Sequence, residues 1–314
     1  MRKLVRSRFA VLLALPVAAA AALVAHTGTA NAIANGDLAT EGQYRFAVKL
    51  VMTGIPTATG GRRNSGCSGA LIASQFVITA GHCFRDFKEG RVNRPVADST
   101  VAMVGRVDVT KPGGHDANVV EVHQSATADV AVAKLDVAIT DIEPLTVGTE
   151  PPAIQSLVRL AGFGATTSVN AVPSNQLNTG QFSVESVAAS TTGVKGVAPS
   201  ADAAAPSACP FDSGAPYFSE ADAAHPVLVS VESNGPDCPH TQTEFSARTD
   251  NLAAWIASIT GPAPQPSDPA PQPSDPVPQP SDPAPQPSDP APQPSDPAPQ
   301  PSDPAPQPTD SATA

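Results

Sequence analysis

Apolar residues in this chain come in short bursts. The stretches 46–51, 70–72, 76–78, 101–104, 119–122 and 227–231 are rich in Val, Ile and Phe, and Gly, Pro, Asn and Ser punctuate the sequence between them. Branched and aromatic side chains suit a pleated surface, so short bursts with frequent turns predict an all-β sandwich or barrel. One convincing helical period stands at the end of this region. Leu252, Trp255, Ile256 and Ile259 fall at i, i+3, i+4 and i+7, with Thr249 or Asp250 available as a cap.

The two ends of the chain follow other rules. Arg2, Lys3, Arg6 and Arg8 precede an apolar run over 9–25, and a polar stretch then ends in Ala30-Asn31-Ala32. A basic start, an apolar middle and a small-x-small site make a secretory signal. The run is at the short limit for a membrane anchor, and the cleavage motif favours removal. From Pro262 to Asp310 the motif Pro-Ala-Pro-Gln-Pro-Ser-Asp repeats seven times, with Val277 and Thr309 as the substitutions. Such a segment has nothing apolar to bury and few amide donors, which predicts a disordered tail with polyproline II character, reaching up to ~150 Å at ~3.1 Å per residue. It reads either as a stalk along the cell wall or as a solvating tail. The expected division is signal peptide 1–32, folded domain 33–260, and Pro-rich tail 261–314.

Formal charge is −11, from 18 bases and 29 acids. Four bases lie in the signal and seven acids in the tail, so 33–260 carries 14 bases and 22 acids, a net −8. That argues against nucleic acid and against an anionic membrane surface as partners. No later stretch is apolar enough to span a bilayer, so no membrane association is expected after signal cleavage. The four cysteines, Cys67, Cys83, Cys209 and Cys238, make an even count in an exported chain and read as two disulfides with three possible pairings. Their spacings are not those of zinc ligands, so neither a metal nor another cofactor is expected.

Three stretches then fit together. Thr79-Ala80-Gly81-His82-Cys83 offers a histidine, Ala128-Asp129-Val130-Ala131-Val132 an aspartate, and Cys209-Pro210-Phe211-Asp212-Ser213-Gly214-Ala215-Pro216 a serine. A serine hydroxyl is a poor nucleophile at neutral pH. It needs an imidazole to take its proton and a buried carboxylate to fix the imidazole tautomer. Asp108, Asp116 and Asp136 are rivals for the carboxylate, but none leads into a run like 130–135. On these motifs the chain, from about Ile33 to Ile259, resembles the secreted bacterial trypsin-like serine peptidases of the chymotrypsin fold. The resemblance implies two six-stranded antiparallel β-barrels with a final helix packed on the second. It implies disulfides Cys67–Cys83 and Cys209–Cys238, and a catalytic triad of His82, Asp129 and Ser213.

Further roles come with the resemblance. Asp212 would pair with the α-ammonium of Ile33 once the signal is cut, switching on the active-site loops. The backbone amides of Phe211 and Ser213 would form the oxyanion hole. The family has glycine where Phe211 stands, and a side chain there either holds a glycine-like conformation under strain or flips the peptide and loses a donor. Ala215 also replaces a usual glycine. The substrate pocket would have Ser207 at its base and Ser233, Asn234 and Gly235 as its wall. Ser207 points toward apolar or aromatic residues before the cut, whereas Glu244 either accepts a basic side chain or is a solvated loop acid. His115, His123, His225 and His240 have no matching partners and are expected at the surface. The implied function is a monomeric, secreted or wall-associated endopeptidase acting on extracellular proteins or peptides. The alternative is a weak or inactive homologue serving as a binding module on the cell wall.

Overall fold

A computed structural model describes residues 32–88 and 90–261. Most of the expected signal and the repeats from Pro262 lie outside the described residues. Among the described residues, fourteen strands run in chain order: β1 Asp37–Leu38, β2 Ala47–Pro56, β3 Arg62–Ala73, β4 Phe76–Thr79, β5 Ser99–Val104, β6 His115–Gln124, β7 Ala131–Leu135, β8 Thr146–Val147, β9 Leu157–Gly162, β10 Asn178–Val187, β11 Thr191–Gly196, β12 Pro216–Ser219, β13 Val227–Asn234 and β14 Glu244–Arg248. The one α-helix among the described residues, α1 (Ala253–Thr260), closes the fold after a 3₁₀ turn at Asp250–Leu252. Neither Thr249 nor Leu252 caps these turns with its side chain.

Strands β2 to β7 close into one barrel in the order β2-β3-β4-β7-β6-β5. Strands β9 to β14 close into a second, β10-β11-β14-β13-β12-β9, through the β9–β10 pairing; β1 adds to β10, and β8 adds in parallel to β13. Every pairing within the two rings is antiparallel. Closure removes the open edges that a sheet of short strands would otherwise expose. The fold is therefore all-β with two six-stranded barrels and a C-terminal helix.

The strand period of two explains which residues turn inward. In β5, Thr100, Ala102 and Val104 are buried while their neighbours are not; in β6, Ala117, Val119 and Val122 are buried across a bulge at 119–121. Leu50, Leu71, Val77, Ile78, Val132 and Leu135 fill the first barrel. That apolar cluster continues across the seam to Phe163, Phe218, Leu228 and Val231 and takes in Leu252 and Ile256 at the start of α1, with Trp255 and Ile259 partly buried against it. Lys49 also crosses the seam: its Nζ donates to Ser174 O at 2.7 Å and Asn175 Oδ1 at 2.9 Å. A second apolar cluster packs Ile33 among Val158, Leu160, Phe182, Ala215 and Tyr217.

The disulfides are Cys67–Cys83 and Cys209–Cys238, the pairing that the resemblance implied. Each contributes about 2–4 kcal/mol, mainly by restricting the unfolded chain. No described helix is long and apolar enough to cross a membrane.

Candidate active site

Register brings the histidine to the aspartate. Thr79, the last residue of β4, pairs with Ala131, the first of β7. His82 follows β4 by three residues, in a 3₁₀ turn over Gly81–Phe84, and Asp129 precedes β7 by two. Because the strands are antiparallel, both side chains emerge at the same end of the barrel. His82 Nδ1 lies 2.7 Å from Asp129 Oδ2, and the His82 amide donates to Asp129 Oδ1 at 2.8 Å. Gly81 is needed where the two segments touch, since a Cβ there would come within 3.2 Å of Asp129 Oδ1 and 3.3 Å of the Val130 nitrogen.

Burial by itself would raise the Asp129 pKa. Hydrogen bonds from His82 and Ser233 and the field of the imidazole outweigh it and bring the group down to about 2. A carboxylate held ionised fixes the proton of the neutral ring on Nδ1 and leaves Nε2 as the free acceptor. The Ser233 hydroxyl donates to Asp129 Oδ2 at 2.7 Å. Ser233, expected in the pocket wall, lines a cavity beside Ser213, and its side chain serves the aspartate.

The serine loop comes from the second barrel. Glu232 N donates to Ala215 O and Gly214 N to Glu232 O, so the loop is tied to the end of β13. Ser68 N donates to Ser213 O at 2.9 Å, and Cys83 Sγ stands 3.9 Å from the same oxygen. Gly214, at φ +83°, allows this approach. A Cβ on it would lie 2.0 Å from Thr79 Oγ1, 2.5 Å from Ser68 O and 2.6 Å from Ala80 N. Ser213 and His82 then line one cavity of about 260 Å³ together with Phe211, Cys67, Gly66 and Arg63.

Phe211 has φ +75°. It keeps the left-handed conformation that glycine adopts freely, at a cost of about 1–2 kcal/mol. Its carbonyl accepts from Ser68 Oγ at 3.0 Å, which helps hold the peptide. Among the described residues, the amides of Phe211 and Ser213 donate to no backbone carbonyl. The ring packs near Cys209, Cys238 and Ala165, with Cδ1 3.8 Å from the place a Cβ on Gly66 would take.

Asp212 is fully buried. Burial, and secondarily the charge of Glu244, push its pKa up to about 7 against the backbone hydrogen bonds it accepts from Cys209, Gly164 and Ile33. Ile33 is buried beside it, and the segment is anchored by Ser207 N donating to Ala34 O. The two residues expected to form the activation pair are thus neighbours, through the Ile33 backbone nitrogen.

A second cavity, of about 200 Å³, adjoins Ser213 on the other side and is lined by Ala208, Cys209, Glu232, Asn234, Gly235 and Asp237 among others. Ser207, expected at its base, is not among the residues that line it; it is buried and accepts from His240 N at 3.2 Å. Glu244 is not a solvated loop acid. It opens β14, fully buried beneath Gly235, and accepts from Ala208 N and from the Tyr217 hydroxyl. His240 is not a surface residue either: its side chain is 5% exposed because it tucks against Glu244, with Nε2 3.2 Å from Oε2. The other three histidines are at the surface, but each has an acidic partner: Asp141 for His115, Glu121 for His123 and Asp222 for His225. Sequence reasoning missed Glu232. An acid inside the apolar run 227–231 and its continuation was the available signal, since a charge on an inward strand position requires a reason.

Two closed six-stranded β-barrels, joined by a seam that carries a histidine–carboxylate pair facing a serine loop, define the chymotrypsin-like class of fold. A family model described as Trypsin matches residues 33–256, and the chain belongs to that family of serine peptidases. No curated protein matches the chain closely enough to add to this.

Proposed function

We propose that the chain is a secreted serine endopeptidase that cuts extracellular proteins or peptides through a covalent acyl-enzyme. The observation that supports this most is the 2.7 Å contact of His82 Nδ1 with Asp129 Oδ2, on the wall of a cavity shared with Ser213. In this reading Ser213 Oγ attacks the scissile carbonyl carbon and passes its proton to His82 Nε2. The C–N bond breaks, the amine leaves with that proton, and an ester remains on Ser213. A water then gives a proton to His82 and attacks the ester; the acid product departs and Ser213 regains its proton. Asp129 steadies the imidazolium in both halves. The amides of Phe211 and Ser213 receive the charge that develops on the carbonyl oxygen, a contribution of about 10²–10³ in kcat for each donor.

The binding-module alternative drew its weight from Phe211. With that residue at φ +75°, the alternative is not favoured. A fluorophosphonate probe on the secreted form tests the peptidase reading. Labelling that disappears in Ser213→Ala supports it, and a folded protein that does not label refutes it.

Export and activation are one event in this proposal. Cleavage after Ala32 frees the Ile33 amine, which becomes the ammonium partner of Asp212, and no propeptide remains. A mature N-terminus upstream of Ile33 would refute direct activation. Two disulfides in a peptidase of this family support an extracellular location. The protein acts as a monomer, and the repeats beyond Pro262 hold it to the cell wall; deleting 262–314 releases it to the medium if so.

A further inference from the structure

We propose that Ser68, a residue of the first barrel, is a positioning residue for the oxyanion hole. Its hydroxyl reaches across the seam and holds the Phe211 backbone in the left-handed conformation that presents the Phe211 amide to the reacting carbonyl. The inference rests on the peptidase reading for the word oxyanion, but the hold on the peptide stands apart from it.

Ser68 lies on β3 next to Cys67 and is fully buried. Its amide donates to Ser213 O at 2.9 Å and its hydroxyl donates to Phe211 O at 3.0 Å, so one residue grips two alternate carbonyls of the serine loop. The hydroxyl also accepts from Phe163 N at 3.0 Å, just beyond β9. Phe163 N can only donate and Phe211 O can only accept, so the one hydroxyl proton has a single place to go. The Ser68 carbonyl accepts from Thr79 Oγ1 at 2.7 Å, which ties the grip to β4, the strand that leads to His82.

The neighbouring peptide is pinned as well. Ala165 N donates to Pro210 O at 2.8 Å. In a trans peptide the N–H points opposite to the C=O, so this bond leaves the Phe211 N–H directed away from Ala165. Phe211 and Ser213 line the same cavity as His82. Carbonyls 210 and 211 are both held, and the φ of +75° lies between their two peptides. Glycine would take that φ unaided, whereas Phe211 carries a Cβ and needs the hold. The chain thus couples two features: a side chain where the backbone is strained, and a buried hydroxyl on the oxygen of the strained residue. Without the hydroxyl, Phe211 O and Phe163 N lose this partner. The strain then relaxes by turning the peptide, which withdraws the donor.

A double-mutant cycle of Ser68→Ala and Phe211→Gly in the mature chain tests this, read as kcat and KM on p-nitrophenyl acetate. Ser68→Ala is expected to lower kcat by about tenfold or more, toward the ~10²–10³ of a missing donor, with KM held within about threefold. In the Phe211→Gly background the same substitution should cost less than about threefold, because glycine keeps the conformation alone. A merely structural hydroxyl would cost the same in both backgrounds, and that result overturns the proposal. So does a Ser68→Ala enzyme with unchanged kcat. Ser246→Ala removes a buried hydroxyl inside the second barrel, and its effect should not depend on residue 211; an equal dependence there also overturns the proposal. Crystal structures read the peptide without reference to activity. The Phe211 φ should turn negative in Ser68→Ala, and a φ that stays positive overturns the hold. Should Ser68→Ala not fold, the fluorophosphonate adduct of the parent decides. The phosphoryl oxygen on the Phe211 amide, with Ser68 Oγ still on Phe211 O, supports the assignment; an amide turned away or a hydroxyl off that carbonyl overturns it. Should the parent neither label nor hydrolyse the ester, the peptidase reading falls, and the Phe211 φ in Ser68→Ala alone decides whether the hold stands.

Discussion

The two barrels share an architecture and differ in what they enclose. The first is filled by aliphatic side chains, and its buried polar groups among the described residues, Lys49, Ser68, Thr79, Thr100 and Ser125, carry no carboxylate. The second encloses Thr192, Ser230 and Ser246 in a hydrogen-bonded row, and the acids Asp212, Glu232 and Glu244 around Tyr217. A closed ring of six strands evidently tolerates either filling. The apolar barrel is a rigid frame that offers one imidazole and one carboxylate at its end. The polar barrel gives up hydrophobic stabilisation and obtains an interior that can titrate.

If the first barrel contributes chemistry only through His82 and Asp129, a change of one atom there should have the largest effect of all. Asp129→Asn preserves the shape and offers an amide to the ring, so the wrong tautomer is favoured. We expect kcat to fall by about 10⁴-fold. A loss under tenfold, measured on a peptide ester and an amide, would remove the first barrel from the reaction. As a frame, the same barrel should respond strongly to truncation. Leu71→Ala, at a fully buried site, is expected to cost about 2–5 kcal/mol in denaturant unfolding and to leave KM alone in what remains folded.

This contrast also decided what could be read in the sequence. Five of the six bursts of Val, Ile and Phe fall on β2 to β6, and only 227–231 falls in the second barrel, on β13. Strands such as Thr191–Gly196 and Glu244–Arg248 carry Thr, Lys, Ser, Arg and Glu, and a barrel with a polar interior leaves no clean alternation to find. Motifs located His82, Asp129 and Ser213 because each sits in a local signature next to a cysteine or an apolar run. Glu232 and His240 had none. Their burial depends on the pairing of β13 with β12 and on the fold-back after Cys238, which are long-range facts. The conformation of Phe211 was likewise open, since composition names the strain but not which way the peptide resolves it.

The pH dependence of stability sharpens the comparison further. Burial raises the Glu244 pKa from an ordinary 4.5 to about 7, so the folded state binds more protons than the unfolded chain between those values. Glu244 therefore costs stability as pH rises from about 4.5 to about 7, a loss on the order of 3 kcal/mol, and Glu232, whose buried carboxyl is also pushed well up, adds to the fall and carries it further. Glu244→Gln should reduce that slope and make the protein more stable at pH 8, the reverse of what truncation does in the first barrel. Urea midpoints from pH 4 to 8 on the form beginning at Ile33 test this, because Asp212, raised to about 7 in the uncut chain, otherwise adds to the same slope. A midpoint that rises with pH through this window would show the second barrel to be as inert as the first.

The smallest effect tests the joint between the barrels. Phe211 stores about 1–2 kcal/mol in its left-handed backbone, and glycine would not. Phe211→Gly relieves that strain and loses the ring's contacts with Cys209 and Ala165, so the two terms oppose and net stability should move by less than about 1 kcal/mol. Because the peptide already has the glycine-like φ, kcat is expected to stay within tenfold. A rise of a hundredfold or more would mean that the native peptide faces away in solution and that one oxyanion donor is missing until glycine restores it. The substitution separates two costs that a static backbone shows as one: strain held to keep a donor in place, and strain held for packing alone.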